Sequence, residues 1–391
     1  MEYRGATDRG KWKMKILHLL IDVRSSWGGP VRSVRDLVRI QRSLGIEVCV
    51  VSLKREGTVE EFEGARVMTF PPSFPSRFGN SSGAVQWLRE NARQFDLALV
   101  SEVWSLFIQR AMSVLRECGV PYVVQPRGSL DPSDLKKKQK LKQILGPLFV
   151  RKNLEAAKCI LTASDAESER LETFGAKVPR RTLSHPVRPN PPGNRQRLRA
   201  EWQVPPEMPV FLYLSRIDPK KRVHLLLEAF DRAAAKLPPC RLLIAGDGNP
   251  ALVATLQEQA KSMACGKEIF FLGFQGGERK SDLLAAADVF VLPSEFENFG
   301  IAVVEALHAG LPVVLSTGVQ IYQGIVAAGA GLSFGDSAVD LAEILVRLGT
   351  DAGLRWTMAR AAATYAPHFS PERLAPVYSA FWSSMARATP Q

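Results

Sequence analysis

The sequence contains no apolar run of the length that crosses a membrane. A membrane-spanning helix needs roughly 18 or more consecutive apolar residues, and no stretch of this chain reaches that length. The N-terminal segment MEYRGATDRGKWKM also lacks the apolar core of a secretory signal. We therefore expect no export.

Cysteine is also scarce, with five in 391 residues. No two of them are spaced C-x-x-C, and four lie beside apolar, strand-like runs. This pattern favours small buried core residues over a thiol catalyst or a metal site. Unpaired cysteines are typical of a reducing compartment, so we expect a cytoplasmic protein.

Several short motifs that define enzyme classes are missing. The chain has no Asp-x-Asp, no His/Cys cluster with metal-ligand spacing, no phosphate-binding P-loop and no G-x-S-x-G elbow. Its five histidines are scattered along the chain. These absences argue against serine hydrolases and metallohydrolases, and we expect neither a metal ion nor a bound cofactor.

Apolar residues make up 46% of the chain and charged residues 23%. This composition supports sizeable cores and excludes intrinsic disorder as the state of the whole chain. Since a domain has about 150 residues, a chain of 391 residues predicts two domains.

Positive charge is concentrated in the first half of the chain. Residues 1–192 carry 32 Lys and Arg against 20 Asp and Glu, whereas residues 193–391 carry 19 of each. The first half therefore accounts for the net charge of +12. Its densest basic run is KKKQKLK at 136–142, which contains Lys136, Lys137, Lys138, Lys140 and Lys142.

This basic run, with Leu and Ile around it at roughly helical spacing, has three interpretations. It binds an anionic membrane surface, it binds nucleic acid, or it is an ordinary solvated helix face. Aromatic residues are absent between 128 and 148, and the chain has no zinc-finger spacing or RNA-binding signature, so we expect no nucleic-acid partner. The membrane interpretation predicts a peripheral position on the inner face of the membrane.

Strand-like and helix-like segments alternate along both halves. Predicted strands include Lys15–Ile21 and Ile46–Leu53 in the first half, and Val210–Leu214 and Val289–Leu292 in the second. Strands that alternate with helices of about 10–15 residues form parallel sheets through right-handed crossovers. The sequence therefore predicts an α/β protein with two doubly wound, Rossmann-like domains facing a cleft.

Seven prolines between 186 and 209 indicate the domain boundary, because proline at this density resists helix and sheet interiors. We predict an N-terminal domain at 14–190, a linker at 191–208 and a C-terminal domain at 209–368. Ligands of doubly wound sheets bind at the carboxyl ends of the strands. The strand-to-helix loops should therefore carry the functional residues.

The most informative loop lies within ADVFVLPSEFENFGIAVVEALHAGLPVV at 287–314. A strand ends at Pro293–Ser294 and a helix begins near Phe299–Gly300, with Glu297 before the helix and Glu305 inside it. Open amides at a helix start bind anions, and carboxylates accept hydrogen bonds from vicinal hydroxyl groups. A sugar nucleotide offers both groups. The alternative is that Glu297 caps the helix and Glu305 is solvated.

A second loop carries cations. In YLSRIDPKKRVHLLLEAF at 213–230, Arg216 follows a strand, and Lys220, Lys221 and Arg222 stand at a helix start. The helix dipole disfavours cations at that end. An anionic ligand such as a diphosphate would explain them, with solvated charges as the alternative.

Three further strand ends are weaker candidates. The segment AGDG at 245–248 is rich in glycine but is not a G-x-G-x-x-G motif. Gly28 and Gly29 would allow a ligand to approach the backbone, or they form a plain tight turn. In QPRGS at 125–129, Arg127 stands at another strand end.

Together these stretches resemble glycosyltransferase family 4, the retaining enzymes of the GT-B fold. The resemblance covers most of the chain. It rests on GG at 28–29, SRIDPKK at 215–221, AGDG at 245–248, ADVFVLPS at 287–294 and ENFGIAVVEA at 297–306. The PRG at 126–128 resembles the subset of the family found in surface-polysaccharide assembly.

The resemblance implies roles for these residues. Arg216 and Lys221 would bind the donor diphosphate, Glu297 the donor sugar, and Glu305 the ribose hydroxyls. Further donor contacts would come from Gly28, Gly29, Arg127, Asn298, Phe299, Gly300 and Ile301. The family is metal-independent, and its C-terminal helix, here 369–391, returns to the first domain.

The sequence also departs from the family pattern. Arg127 stands where many relatives have a histidine, and Arg222 stands where a glycine is common. His185–Pro186 replaces the usual Asn-Gly before the linker.

We therefore expect a retaining glycosyltransferase that moves a sugar from a nucleotide-diphosphate sugar to a lipid-linked or polysaccharide acceptor. The charged N-terminal domain would hold the acceptor. The mechanism that the resemblance implies is front-face substitution, in which the departing phosphate helps to deprotonate the acceptor. The alternatives are a catalytically silent partner subunit that binds sugar nucleotides, and a sugar-nucleotide epimerase or glycosidase that uses Glu297 and Glu305.

Overall fold

The computed structural model describes residues 13–24, 29–54, 62, 64–130, 150–171 and 177–386. They form two compact units. The N-terminal unit comprises the chain up to Leu183 together with the residues from Ala375 onward, and the C-terminal unit comprises Ser184–Leu374. The chain therefore passes between the units twice.

The N-terminal unit is built on a seven-stranded parallel sheet with the order β3-β2-β1-β4-β5-β6-β7. Its strands are β1 Lys15–Leu19, β2 Glu47–Leu53, β3 Arg66–Phe70, β4 Leu97–Ser101, β5 Tyr122–Gln125, β6 Cys159–Thr162 and β7 Arg180–Thr182. The central strands are rich in Leu and Val and almost completely buried, because helices cover a parallel sheet on both faces.

Helices follow the strands of this unit. The described ones are α1 Gly29–Ser43, α2 Ser82–Asn91, α3 Leu106–Glu117, α4 Arg151–Glu155 and α5 Asp165–Arg170. Three of them begin after a serine whose hydroxyl accepts an amide hydrogen bond from the first turn, namely Ser81, Ser105 and Ser164.

The C-terminal unit is built on a six-stranded parallel sheet with the order β10-β9-β8-β11-β12-β13. Its strands are β8 Val210–Leu214, β9 Arg241–Ala245, β10 Ile269–Gly273, β11 Val289–Leu292, β12 Val313–Ser316 and β13 Gly331–Phe334. The helices from here on are α6 Arg195–Glu201, α7 Val223–Ala234, α8 Pro250–Ser262, α9 Gly277–Ala286, α10 Ile301–His308, α11 Tyr322–Ala327, α12 Ala338–Thr350, α13 Ala352–Tyr365 and α14 Pro371–Met385.

Each sheet has one point at which its strand order reverses, between β1 and β4 in the N-terminal unit and between β8 and β11 in the C-terminal unit. The carboxyl ends of the two strands at such a point border a crevice, and ligands of doubly wound sheets bind there. The predicted fold class, α/β with two doubly wound, Rossmann-like parallel sheets, is confirmed.

Helix α14 falls within the segment 369–391. From Ala375 onward its residues group with the N-terminal unit, although the helix begins in the C-terminal unit. Tyr378 and Trp382 are fully buried, and the Lys158 ammonium donates to the Ala386 carbonyl at 3.2 Å. The last segment of the chain therefore completes the core of the N-terminal unit.

The proline-rich segment differs from the expected irregular linker at 191–208. Helix α6 lies inside it, because the prolines cluster on either side of Arg195–Glu201 and the Asn194 side chain caps the helix start. Arg199 of this helix is only 5% exposed. Its guanidinium donates to the carbonyls of Pro205, at 2.5 Å, and Met208, at 2.6 Å, and pairs with Asp288 at 3.1 Å.

All five cysteines are free, and four of them are buried, as the sequence predicts for small core residues. Burial raises the pKa of the Cys49 thiol to about 11, so this thiol stays protonated at neutral pH. Among the described residues, no helix is both long enough and apolar enough to cross a membrane.

Replacing Arg199 with Met should lower the free energy of unfolding of the C-terminal unit by about 3 kcal/mol. The reason is that buried carbonyls and the Asp288 carboxylate lose their charged donor. Denaturant unfolding measures the change. The control is Arg232→Met, which removes an exposed ion pair with Glu228 and should cost less than ~1 kcal/mol. Equal stability of the two variants would show that Arg199 does not hold the segment.

Candidate functional site

The candidate site lies at the carboxyl edge of the C-terminal sheet, where the strand order reverses. After β8, the chain continues through Ser215–Arg222, which includes a 3₁₀ turn at Pro219–Lys221. After β11, the loop 293–300 leads to α10. Because β8 and β11 are neighbours in the sheet, the two loops meet, and the Glu295 amide donates to the Lys220 carbonyl at 2.7 Å.

The centre of this site is the carboxylate of Glu297. The Lys221 ammonium donates to its Oε2, and the Gly300 amide donates to its Oε1 at 3.2 Å. Burial disfavours the ionised carboxylate, but the Lys221 charge and the hydrogen bonds from the Phe299 and Gly300 amides outweigh burial and lower the pKa of Glu297. Glu297 is therefore ionised at neutral pH.

The position of Glu297 is fixed by its backbone. Its amide donates to the Gly318 carbonyl at 3.0 Å, and its carbonyl accepts from the Gln320 amide at 2.9 Å. The loops approach so closely that a Cβ on Gly318 would lie 2.2 Å from the Glu295 carbonyl oxygen. These backbone contacts hold the Glu297 carboxylate beside the start of α10.

The start of α10 uses a glycine for a steric reason. Gly300 has φ 79°, a left-handed conformation that side chains disfavour, and a Cβ there would lie 3.0 Å from Val303 Cγ2. The Phe299 and Gly300 amides, which the resemblance assigns to the donor, already donate to Glu297. The Val303 amide donates to the Gly300 carbonyl at 2.9 Å, so the open amides within the described residues are those of Ile301 and Ala302 in the first turn of α10.

The Phe299 side chain points into the core. Its ring contacts His185 and Phe369 edge to face, at centroid distances of 5.0 Å and 5.7 Å. The Val187 amide donates to the Phe369 carbonyl at 2.8 Å, and Nε2 of His308 on α10 donates to the Val187 carbonyl at 3.0 Å. The residues that contact Phe299 and α10 therefore lie near both ends of the C-terminal unit, Ser184–Leu374.

Glu305 is buried, whereas the alternative from the sequence was a solvated helix residue. It lies on α10, is 2% exposed, and its Oε1 accepts from the Lys280 ammonium of α9 at 2.8 Å. Sequence analysis did not identify Lys280, whose only local signal is the basic RK pair in the first turn of α9. The Lys280 ammonium thus gives this buried carboxylate group a partner of opposite charge.

The cations at the start of α7 are matched within the chain. Lys221 pairs with Glu297, while Arg222 pairs with Asp336 at 2.7 Å and donates to the Pro293 carbonyl at 2.8 Å. A bound diphosphate was expected to offset the unfavourable position of these cations at a helix start. The carboxylates of Glu297 and Asp336 offset part of it instead. Arg216 differs from these cations, since its side chain is exposed beyond the end of β8.

The glycines of AGDG at 245–248 have a packing role. A Cβ on Gly246 would lie 1.8 Å from the Ser215 carbonyl oxygen, and a Cβ on Gly248 would lie 2.0 Å from that of Ile217. These glycines allow the loop after β9 to pack on the loop after β8. The glycines therefore help to fix the backbone of Ser215–Ile217, which carries Arg216.

Asn298 is a further polar residue of this loop. Its Oδ1 is buried and, within the described part of the chain, has no hydrogen-bond partner. A buried acceptor without a donor is costly, so a hydroxyl group from a ligand would stabilise it.

The predicted site residues of the N-terminal unit are only partly described. Gly29 is the first residue of α1, and Arg127 follows β5 with φ 53°. Gly28 and the basic run at 136–142 lie outside the described residues. In the parts of the chain that the structure describes, no group of three or more His, Cys, Asp or Glu side chains is arranged to hold a metal ion.

Two family descriptions match the chain. Residues 28–186 match the glycosyl transferase 4-like domain, and residues 194–365 match the glycosyl transferases group 1. Together they include the candidate site and strands β2 to β7 of the N-terminal sheet.

The chain is also similar to curated proteins. It is 34% identical over 187 residues to the D-inositol 3-phosphate glycosyltransferase of Mycolicibacterium smegmatis, a match covering 46% of this chain and 41% of that protein. It is 27% identical over 293 residues to the sulfoquinovosyl transferase SQD2 of Arabidopsis thaliana, covering 72% of this chain and 55% of that protein. The chain thus spans about half the length of the curated relatives it matches.

Among solved structures, the chain resembles Anabaena Alr3699/HepE in complex with UDP-glucose. The TM-score is 0.76 at 21% identity, over 95% of this chain and all of that chain. This likeness supports the same fold of two Rossmann-like domains. Residues 28–186 are thus similar to a glycosyl transferase 4-like domain, residues 194–365 are similar to the glycosyl transferases group 1, and the fold matches that of GT-B glycosyltransferase structures.

Proposed function

We propose that this protein is a retaining glycosyltransferase that moves a sugar from a nucleotide-diphosphate sugar to an acceptor. The observation that carries the proposal is the Lys221–Glu297 pair beside the open amides of α10, at the point where the C-terminal sheet reverses. The pair offers one cation for phosphate and one ionised acceptor for hydroxyl groups. A sugar nucleotide needs both.

The leaving group of this reaction is a nucleoside diphosphate, whose negative charge grows as the glycosidic bond breaks. Lys221, held in place by Glu297, and the exposed Arg216 supply positive charge. The first-turn amides of α10 supply oriented donors. Preorganised groups of this kind stabilise developing charge without reorganisation, so no metal ion is required in the mechanism proposed here.

The hydroxyl groups of the donor require acceptors. Glu305 is proposed to hold the ribose, with Lys280 fixing one of its oxygens. Glu297 and the buried Oδ1 of Asn298 are proposed to contact the sugar. Such bonds between a carboxylate and hydroxyl groups are charge-assisted and directional.

The chemistry of Glu297 disfavours a glycosidase. A glycosidase needs one carboxyl group with a raised pKa to act as the general acid. The pKa of Glu297 is lowered, because Lys221 and two amides stabilise its ionised form against the effect of burial. An ionised Glu297 suits substrate binding.

The acceptor is proposed to be lipid-linked or a glycan, bound by the N-terminal unit. The charge excess in residues 1–192 supports this proposal, because a basic surface attracts anionic membranes and anionic glycans. A peripheral position at the inner face of a membrane follows from the same charge. One curated relative is described as acting on D-inositol 3-phosphate, a small phosphorylated compound, so a soluble acceptor is the alternative.

Replacing Arg216 or Lys221 with Ala should lower kcat about 10²–10³-fold, as expected for the loss of one preorganised stabiliser of the leaving group. Release of the nucleoside diphosphate during sugar transfer measures the rate. Lys220→Ala is the neighbouring control, since its ammonium lies over the Phe296 ring rather than on Glu297. An unchanged kcat in both variants, with the fold intact, would contradict the role.

Replacing Glu305 with Gln should weaken binding of the free nucleoside diphosphate by about 1.5–3 kcal/mol, because a charged acceptor becomes a neutral amide. Isothermal titration calorimetry measures the affinity. Glu343→Gln, on the exposed side of α12, is the control. Equal affinities for wild type and Glu305→Gln would restrict Glu305 to its ion pair with Lys280.

Changing the five lysines of the run at 136–142 to Gln should release the protein from anionic vesicles. Each lysine contributes about 1 kcal/mol near a charged surface, and salt should weaken binding, since the Debye length falls from ~10 Å at 0.1 M to ~3 Å at 1 M. Co-sedimentation with vesicles is the measurement. Replacing Lys236, Lys261 and Lys267 of the C-terminal unit is the control. Equal sedimentation with neutral and anionic vesicles would contradict membrane binding and favour the interpretation of the basic run as a solvated surface.

A further inference from the structure

The guanidinium of Arg127 is a partly buried positive charge whose hydrogen-bond partners among the described residues are neutral. Its Nε donates to the Ser101 hydroxyl at 3.2 Å, one terminal nitrogen to the Ser33 hydroxyl, and the other to Gln125 Oε1 at 3.0 Å. All three acceptors are neutral. In the described part of the chain, no carboxylate reaches ion-pair distance of this guanidinium.

The three neutral partners come from three elements at one edge of the N-terminal sheet. Ser101 is the last residue of β4, Gln125 is the last residue of β5, and Ser33 lies near the start of α1, which follows β1. The strands β1, β4 and β5 are adjacent, and the strand order reverses between β1 and β4. Arg127 is therefore fixed at the point of this unit where doubly wound sheets bind ligands.

The nearest carboxylates are used elsewhere or lie farther away. Both oxygens of Glu167 accept backbone amides, from Gly128 at 2.8 Å and from Ala163 at 2.8 Å. Glu167 therefore holds the turn that carries Arg127, and its charge also favours the charged guanidinium. Glu102 lies close enough to favour the charged guanidinium, although it forms no ion pair with it.

The positive charge of this edge is thus incompletely neutralised. Burial lowers the pKa of Arg127 to about 10, which leaves it charged at neutral pH. The first turn of α1 contains no acidic residue, so the positive end of its dipole adds to the field. The neutral partners use three of the five N–H groups of the guanidinium, and among the described residues the other two have no acceptor, so that they can bind a ligand.

We propose that Arg127 anchors an anion-binding subsite in the N-terminal unit, which takes a phosphate or carboxylate group of the acceptor. The planar guanidinium binds such groups with two parallel hydrogen bonds. The subsite rests on the glycosyl transfer proposed above, and it narrows the acceptor to a compound that carries an anionic group. It also gives Arg127 a different ligand from the donor that the family resemblance implies.

Inorganic phosphate is the probe, and the indole N–H of Trp104 reports its binding. Trp104 donates to the Ser129 carbonyl at 2.6 Å, in the turn that follows Arg127. Its resonance in a ¹H–¹⁵N spectrum of the full chain, assigned with Trp104→Phe, should shift saturably as phosphate is added at constant ionic strength. The titration is made with and without a saturating nucleoside diphosphate, which occupies the site of the C-terminal unit.

The expected result is the same phosphate affinity in both titrations, and an affinity at least tenfold lower in Arg127→Gln. Arg127→Lys should fall between the two, because it keeps the charge but not the planar pair of donors. Arg110→Gln is the matched control, since Arg110 also lies in the N-terminal unit and donates to a neutral side chain, Asn80, at 2.8 Å. It should bind phosphate like the wild type.

Three results would overturn the inference. The first is no saturable shift in the wild type, and the second is an equal phosphate affinity in Arg127→Gln and Arg110→Gln. The third is a tenfold loss of nucleoside diphosphate affinity in Arg127→Gln, which would assign the anion to the donor. By contrast, a wild type that binds phosphate but no nucleotide would contradict the proposed function and keep the anion site. The Trp104 resonance also shows whether each variant is folded.

Discussion

The carboxylate of Glu297 is the interaction on which the rest of the C-terminal site depends. It joins three elements, because it accepts from Lys221 after β8, from the Gly300 amide at the start of α10, and is held through its own backbone by Gly318 and Gln320. The charge of Lys221 and the hydrogen bonds from the Phe299 and Gly300 amides favour the ionised carboxylate, although burial opposes it. Without this carboxylate, the Lys221 ammonium would lose its ion-pair partner.

Sequence analysis predicted the interior of both sheets well and their edges poorly. The bounds of β8 and β11 agree with the predicted strands, because strands buried on both faces appear as continuous apolar runs. Strands β3 and β7 were not predicted. Both are outermost in their sheet, are half-exposed, and include arginines, so they carry no continuous apolar signal.

The candidate site was predictable where local sequence determines it. The loop at 293–300 and its helix follow from a strand, a glycine and a helical run in series. The contacts of Glu305 with Lys280 and of Arg199 with Asp288 join residues 25 and 89 positions apart, so only the packing of the unit reveals them. The helix within 191–208 was missed because the count of prolines obscured the proline-free residues between them.

The central claim is that the C-terminal unit binds a nucleotide-diphosphate sugar at the Lys221–Glu297 pair. A thermal-shift panel of nucleotide sugars and nucleoside diphosphates, read for the wild type and for Glu297→Gln, tests it most directly. The account predicts that one donor, at 100 times its dissociation constant, adds about 2.7 kcal/mol to the apparent stability of the wild type, and clearly less to the variant. No stabilisation by any nucleotide sugar, or equal stabilisation of both proteins, would contradict it.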